Sequence, residues 1–176
     1  IPIEAALIAY NIPPRILRKD YAFKKWDDYD EKLWEHVQNK GKENMTLDKS
    51  IHILGSDFLK RNIELSLESV KRLNLLNKIN FEIMDLNNFI PKSEKGTIII
   101  NPPYGERIGE QFDLKQLYKN LGNKFKKDCS GHDVFVFTGN PDLSKQISLR
   151  TKKRIILKNG TIDCRLLYYP MQVGSF

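Results

Sequence analysis

Cysteine is nearly absent from this sequence of 176 residues: Cys129 and Cys164 are the two it has. They stand far apart, without the paired spacing of metal ligands. Both read as reduced cytosolic thiols that pack rather than react, so no metal site is expected and the cytoplasm is the expected compartment. Long apolar runs are missing as well. No stretch approaches the ~20 residues that cross a bilayer, and no basic-then-apolar leader opens the chain, so no membrane partner is expected. Internal repeats and low-complexity linkers are also lacking. The chain opens at Ile1, without a methionine, directly in the helical-looking "IPIEAALIAY". It reads as a segment from within a longer protein.

What is present suffices for a core. Hydrophobic residues make up 40% of the chain, and 176 residues suit one domain, 1–176. Lys plus Arg number 29 against 22 Asp plus Glu, a formal net charge of +7. That surplus favours an anionic partner, nucleic acid first among candidates. A generally lysine-rich composition would give the same count, so charge alone does not decide.

Along the chain, Ile3, Ala6, Leu7 and Tyr10 recur at helical spacing, and Pro13-Pro14 is the expected stop. A charged, aromatic connection follows, with Leu33, Trp34 and Val37 striping a second helix. "SIHILGSD" reads as a short strand ending at Gly55-Ser56-Asp57. Ile63, Leu67, Val70 and Leu73 or Leu76 then share one helical face. "INFEIMD" alternates like a strand toward Asp85, "GTIIIN" is a third strand, "LKQLYKNLGNKFKKD" a helix and "HDVFVFTGN" a fourth strand. The last stretch, "KKRIILKNGTIDCRLLYYP", reads as two strands joined at Asn159-Gly160. Strands alternating with helices predict an α/β domain, its sheet mostly parallel with a C-terminal antiparallel hairpin.

In such sheets ligands bind beyond the carboxyl ends of the strands, and Asp57, Asp85 and Asn101 all fall there. A carboxylate at Asp57 can accept from ribose hydroxyls, and one at Asp85 from the exocyclic amine of an adenine. Both can equally be caps of the turns that follow, a role that aspartate fills well.

"TIIINPPYGERIG", residues 97–109, ends a β-branched strand in two prolines. Proline forfeits backbone donors and stiffens a turn, so the stretch is either a strand stop or a rigid loop that aims atoms at a substrate. Asn101 offers a side-chain carbonyl acceptor and Pro102 a backbone one, and Pro102-Pro103 fix their relative directions. Two acceptors converging on one aromatic amine would draw its lone pair out of conjugation and make it nucleophilic. Tyr104 can stack on the base that carries the amine.

"INPPYGERIG" resembles the [DNS]-P-P-[YFW] loop of class I S-adenosylmethionine-dependent methyltransferases that modify exocyclic amines, N6-adenine and N2-guanine enzymes alike. With "IPIEAALIA", "LRKDYAFKKWDDYDEKLW", "LGSD", "LYKNLG", "TGNP" and "KKRIILKNGTIDCRLLYY", essentially the whole chain resembles the bacterial N2-guanine methyltransferases of large-subunit ribosomal RNA. These carry an RNA-binding THUMP domain ahead of the catalytic one.

The resemblance implies a Rossmann-like sheet, S-adenosyl-L-methionine as cofactor and ribosomal RNA as partner. It implies that Asp57 binds the cofactor ribose, Phe58 packs on its adenine, Asp85 holds the adenine amine, and Leu86 offers a backbone N–H. Asn101, Pro102, Pro103 and Tyr104 would form the catalytic loop, with Asn101 also beside the cofactor and Tyr104 on the target base. Arg107 would meet RNA phosphate or brace the loop. Leu59 and Ser69 stand where the family often has Asp and Asn. The family's first strand and glycine-rich loop, a D-P-x-C-G-S-G-T element, have no counterpart in the sequence, so a gap between the strands ending at Asp57 and Asn101 is expected.

Overall fold

The structure, a computed structural model, describes residues 1–14, 16–105 and 114–171. The chain divides into two compact units, Ile1–Met84 and Asp85–Phe176.

The first unit begins with helix α1 (Pro2–Ala9), where proline occupies the first turn and its missing N–H costs nothing. The prolines at 13 and 14 do not end this helix. Asn11 does, at a φ of 53°, with the Asn11 amide donating to the Ile8 carbonyl and the Ile12 amide to that of Leu7. This is a Schellman cap with asparagine in the left-handed position, and Ile12 beyond it is buried. Helix α2 (Glu31–Glu43) starts where the Asp30 side chain accepts from the Leu33 amide at 3.0 Å. Its expected apolar stripe is not buried: Leu33 is 60% exposed and Val37 51%. Trp34 instead meets Tyr21 and Phe23 edge to face, at centroid distances of 5.2 and 4.9 Å.

Strand β1 (Leu54–Asp57), helix α3 (Lys60–Arg72) and strand β2 (Asn80–Ile83) form a βαβ unit. The strands are parallel, from Leu54↔Asn80 to Asp57↔Ile83. Ile63 and Val70 of α3 are buried, whereas Leu67 and Leu76 stay exposed, so the buried face is narrower than the sequence stripe. Asn74, at a φ of 57°, caps α3 as Asn11 caps α1. The Asn74 amide donates to Lys71 and the Leu75 amide to Val70. Leu75 then joins Ala6, Tyr10, Ile12, Val70 and Ile79 in the core of this unit.

The second unit holds β3 (Gly96–Ile100), α4 (Leu114–Asp128), β4 (His132–Thr138), α5 (Pro141–Lys145), β5 (Lys153–Asn159) and β6 (Ile162–Pro170). Its sheet runs β3-β4-β6-β5. β3 and β4 are parallel; β6 is antiparallel to both β4 and β5. Tyr118, Leu121 and Phe125 recur three and four apart on α4, and pack with Val134, Val136, Leu167 and Tyr169 from alternate positions of β4 and β6. Each such burial contributes about 1.5–3 kcal/mol. Cys129 and Cys164 are free and buried, the packing role expected of them.

The closing hairpin sits one residue later than the Asn-Gly signal suggests. Asn159 pairs with Ile162, so the two-residue loop is Gly160-Thr161. Gly160 has a φ of 63°, and Thr161 is not in the left-handed region. Glycine at the first central position is the pattern of a II′ turn, which leaves Asn159 as the last residue of β5.

Parallel pairs and a terminal antiparallel hairpin match the expected α/β topology. Among the described residues β1 pairs only with β2, and β3 only with β4, in two separate sheets.

Candidate functional site

In the first unit, Asp57 ends β1 and its carboxylate is engaged on both oxygens. Oδ1 accepts from the Leu59 amide at 2.8 Å, and Oδ2 accepts from Asn62 Nδ2 at 3.0 Å. The first bond is a local turn between strand and helix; the second reaches one turn into α3 and fixes the carboxylate plane. An ionised carboxylate offers about four acceptor sites, so two remain for ribose hydroxyls. Phe58 beside it is 52% exposed. The hydrogen bond from Asn62 is not anticipated by the sequence. Its only signal is the spacing of five from Asp57.

In the second unit, Asp85 lies two residues beyond the last paired residue of β2 and caps a 3₁₀ turn, Leu86–Asn88. Its Oδ1 accepts both the Asn87 amide at 2.7 Å and Asn87 Nδ2 at 2.9 Å. Neither bond uses Oδ2, which can take an amine. The Leu86 amide opens the turn, a position with no acceptor inside the turn itself, so it can donate outward. Asn120 Nδ2 on α4 reaches Asn87 Oδ1 at 3.3 Å and ties the turn to that helix. A cleft between turn and helix is lined by Leu86, Asn87, Leu117, Asn120 and Lys124. Both aspartates therefore cap turns, and both keep acceptor capacity beyond the cap. The cap role of each is met within the chain.

The proline loop leaves the carboxyl end of β3 with Asn101 exposed, Pro102 buried, Pro103 exposed and Tyr104 half-buried. Burial of the Pro102 ring anchors the loop, and the ring restricts the backbone of Asn101 before it to extended conformations. Tyr104 packs on the core of the second unit. Its hydroxyl accepts from Asn159 Nδ2 at 2.9 Å, a contact made across 55 residues of sequence. One ring edge lies over Gly139, where an added Cβ would stand 3.1 Å from Cε2 and 3.2 Å from Cδ2. Neither partner is anticipated by the sequence: "TGNP" enters only as the end of a strand and part of the resemblance, and nothing local links Asn159 to Tyr104. Arg107 lies outside the described residues. Among the described residues, no cluster of His, Cys, Asp or Glu is placed to hold a metal ion. No helix there is long and apolar enough to cross a membrane.

The chain is similar to known proteins. The "Ribosomal RNA large subunit methyltransferase K/L" of Shewanella baltica (strain OS185) is 32% identical over 98% of the chain and 25% of its own length. The protein of that name from Allochromatium vinosum is 36% identical over 99% of the chain and 24% of its own length. The chain thus spans about a quarter of the length of these two relatives. Among solved structures, SMU.472 complexed with SAH superposes with a TM-score of 0.86 at 30% identity, covering 98% of this chain and 45% of that one. A "predicted N6-adenine-specific DNA methylase" from Listeria monocytogenes str. 4b F2365 superposes at 0.83 with 28% identity, covering 96% and 43%. The fold is accordingly the Rossmann-like one of class I methyltransferases. Residues 1–168 match the profile of the family described as UPF0020, RMKL-like, methyltransferase domain, and the chain belongs to that family.

Proposed function

We propose that residues 1–176 act as the catalytic domain of a longer S-adenosylmethionine-dependent methyltransferase, whose target is the exocyclic N2 amine of a guanine in large-subunit ribosomal RNA. The observation that carries this reading is the loop at the end of β3. Asn101 is exposed beside a buried proline, and the Tyr104 ring is held between Gly139 and the end of β5. Names of the curated relatives support ribosomal RNA as the substrate, and the net charge of +7 agrees with it. The length beyond the chain's share of those relatives leaves room for an RNA-binding domain ahead of it. Free thiols at Cys129 and Cys164 fit work in the cytoplasm.

The residues present fit the cofactor. Within the first unit Asp57 keeps two acceptor sites for ribose hydroxyls beside the half-exposed Phe58; within the second, Asp85 Oδ2 and the Leu86 amide suit an adenine edge. When bound, S-adenosylmethionine supplies an electrophilic methyl group. The protein's part is to present the amine. A base unstacked from the RNA would lie on Tyr104. The Asn101 Oδ1 and the Pro102 carbonyl would accept its two N–H bonds, localising the nitrogen lone pair. No general base of unusual pKa is needed before attack, since the amine sheds its proton after its nitrogen becomes cationic.

A second reading, transfer to an adenine N6 amine, is favoured by the name of the Listeria relative. The loop accepts either amine in the same way. The test offers the full-length protein unmodified ribosomal RNA and matched guanine- and adenine-bearing oligonucleotides with a radiolabelled methyl donor. Label in N2-methylguanine supports the first reading and label in N6-methyladenine the second. RNA binding without transfer to either would overturn both and leave a non-catalytic RNA-binding role.

A further inference from the structure

We infer that Asn159 and Gly139 are positioning residues for Tyr104, fixing the plane on which the target base stacks. This inference rests on the proposed role of Tyr104. A half-buried tyrosine at the end of a proline-stiffened loop still has two side-chain torsions, and a stacking platform works only if both are set before the base arrives. Two contacts set them here. Asn159 Nδ2 donates to the Tyr104 hydroxyl at 2.9 Å, which holds the far end of the ring. Gly139 lets the Cδ2–Cε2 edge settle against the backbone, and the same missing Cβ also makes room for Ile162, whose Cγ2 would stand 3.0 Å away. Residues just past β4 and at the end of β5 therefore converge on one ring.

The register of the hairpin makes the arrangement possible. The turn is Gly160-Thr161, so Asn159 does not occupy a left-handed turn position. Its side chain is exposed apart from this bond. An asparagine that the turn does not require, aimed at the one hydroxyl of the catalytic loop, is explained by what it holds. Gly139 follows the same logic, since its neighbour Thr138 is already tied into the core and fixes the backbone under the ring.

The test uses the full-length protein, unmodified large-subunit ribosomal RNA as probe, and steady-state methylation read as KM for RNA and kcat separately. Loss of one neutral hydrogen bond predicts that Asn159→Ala raises KM about threefold to tenfold with kcat little changed. Tyr104→Phe, which keeps the ring and removes the acceptor, should match it. The double variant should be no worse than either single one, because both remove the same bond. Gly139→Ala should also raise KM by displacing the ring, with the thermal midpoint of each variant near that of the wild type. Additive effects in the double variant would overturn the inference. So would a normal KM in Asn159→Ala alongside a defective Tyr104→Ala, and the stacking role of Tyr104 would then survive. A normal KM in Tyr104→Ala would overturn the stacking role itself and this inference with it.

Discussion

The Tyr118 hydroxyl lies 2.8 Å from Thr138 Oγ1, joining the middle of α4 to the carboxyl end of β4 inside the core of the second unit. Thr138 Oγ1 also accepts the Asn140 amide at 3.1 Å, and Asn140 in turn caps α5. One threonine hydroxyl thus satisfies a buried phenol from α4 and, across Gly139, the amide of Asn140. Replacing Thr138 with valine keeps the shape and strands both partners, at about 1–3 kcal/mol for each buried group left unpaired. Tyr118→Phe strands neither, since the threonine keeps the Asn140 amide, and should cost about 0.5–1.5 kcal/mol. Chemical denaturation of the two variants checks the order. A larger loss in Tyr118→Phe would contradict this account.

Stability should fall on the alkaline side. Burial pushes the Tyr169 hydroxyl from 10.0 up to about 12, against the pull of Arg154 and with a small push from Tyr118. Burial, with the Asp128 carboxylate adding, pushes the Cys129 thiol from 9.0 to about 11, while Lys124 opposes the rise. The Tyr118 hydroxyl is raised by burial too, partly offset by its bond with Thr138. In the unfolded chain these groups lose their protons at lower pH than in the fold. The unfolded state therefore binds fewer protons as pH climbs, and the stability present below the unfolded values drains away through the folded ones. Thermal midpoints should be flat below about pH 8.5 and decline from about pH 9 to 12. Tyr169→Phe should shallow the decline. A level profile to pH 11 would show that these groups are not held protonated by the fold.

Elements whose signals are local were legible in the sequence. β4 alternates buried residues with less buried ones along "HDVFVFT", and α4 spaces Tyr118, Leu121 and Phe125 on one face, so periodicity alone marks both. Helix ends were less legible. Pro13-Pro14 looked like the stop of α1, but Asn11 in the left-handed region ends it first, and Asn74 repeats the device after α3. The hairpin was found and its turn misplaced by one residue, because Asn-Gly matches a I′ turn while Gly160 here takes the first position of a II′ one. At the site, the strand-end aspartates were readable from position, and Asn62, five residues from Asp57, lay within local reach. The bond between Asn159 and Tyr104 was not readable. It depends on the pairing of β4 with β6, and sheet order is a tertiary outcome that neither segment encodes by itself.

Asp57 should govern cofactor affinity. Charge-assisted bonds from a carboxylate to two ribose hydroxyls are worth about 1.5–3 kcal/mol each. Asp57→Ala in the full-length protein should weaken S-adenosylmethionine binding at least about tenfold, the factor that 1.4 kcal/mol represents. Asn62→Ala releases Oδ2 without removing the carboxylate, and should fall between Asp57→Ala and the wild type. Calorimetric titration reads both. Unchanged affinity in a folded Asp57→Ala variant would reduce the aspartate to the turn cap that its bond to the Leu59 amide already makes it.

Asn101 should carry turnover more than binding. Its Oδ1 is proposed to meet the target amine most strongly as that nitrogen becomes pyramidal and gathers positive charge. Interactions stronger in the transition state than in the ground state appear in kcat. Losing one preorganised polar group from such a site costs on the order of a hundredfold, so Asn101→Ala should lower kcat by about that factor or more. Cofactor affinity should hardly move if Asn101 serves the base. Asn101→Asp is the sharper probe. A carboxylate can still accept both from the amine and against its growing charge, and the [DNS] choice in loops that this one resembles includes Asp. Partial recovery of kcat in Asn101→Asp, with none in Asn101→Ala, would tie the effect to the acceptor oxygen rather than to the shape of the loop. Single-turnover methylation of ribosomal RNA separates the chemical step from product release. Near-normal turnover in Asn101→Ala would refute amine activation at this position, and Pro102-Pro103 would then be what a strand stop alone requires.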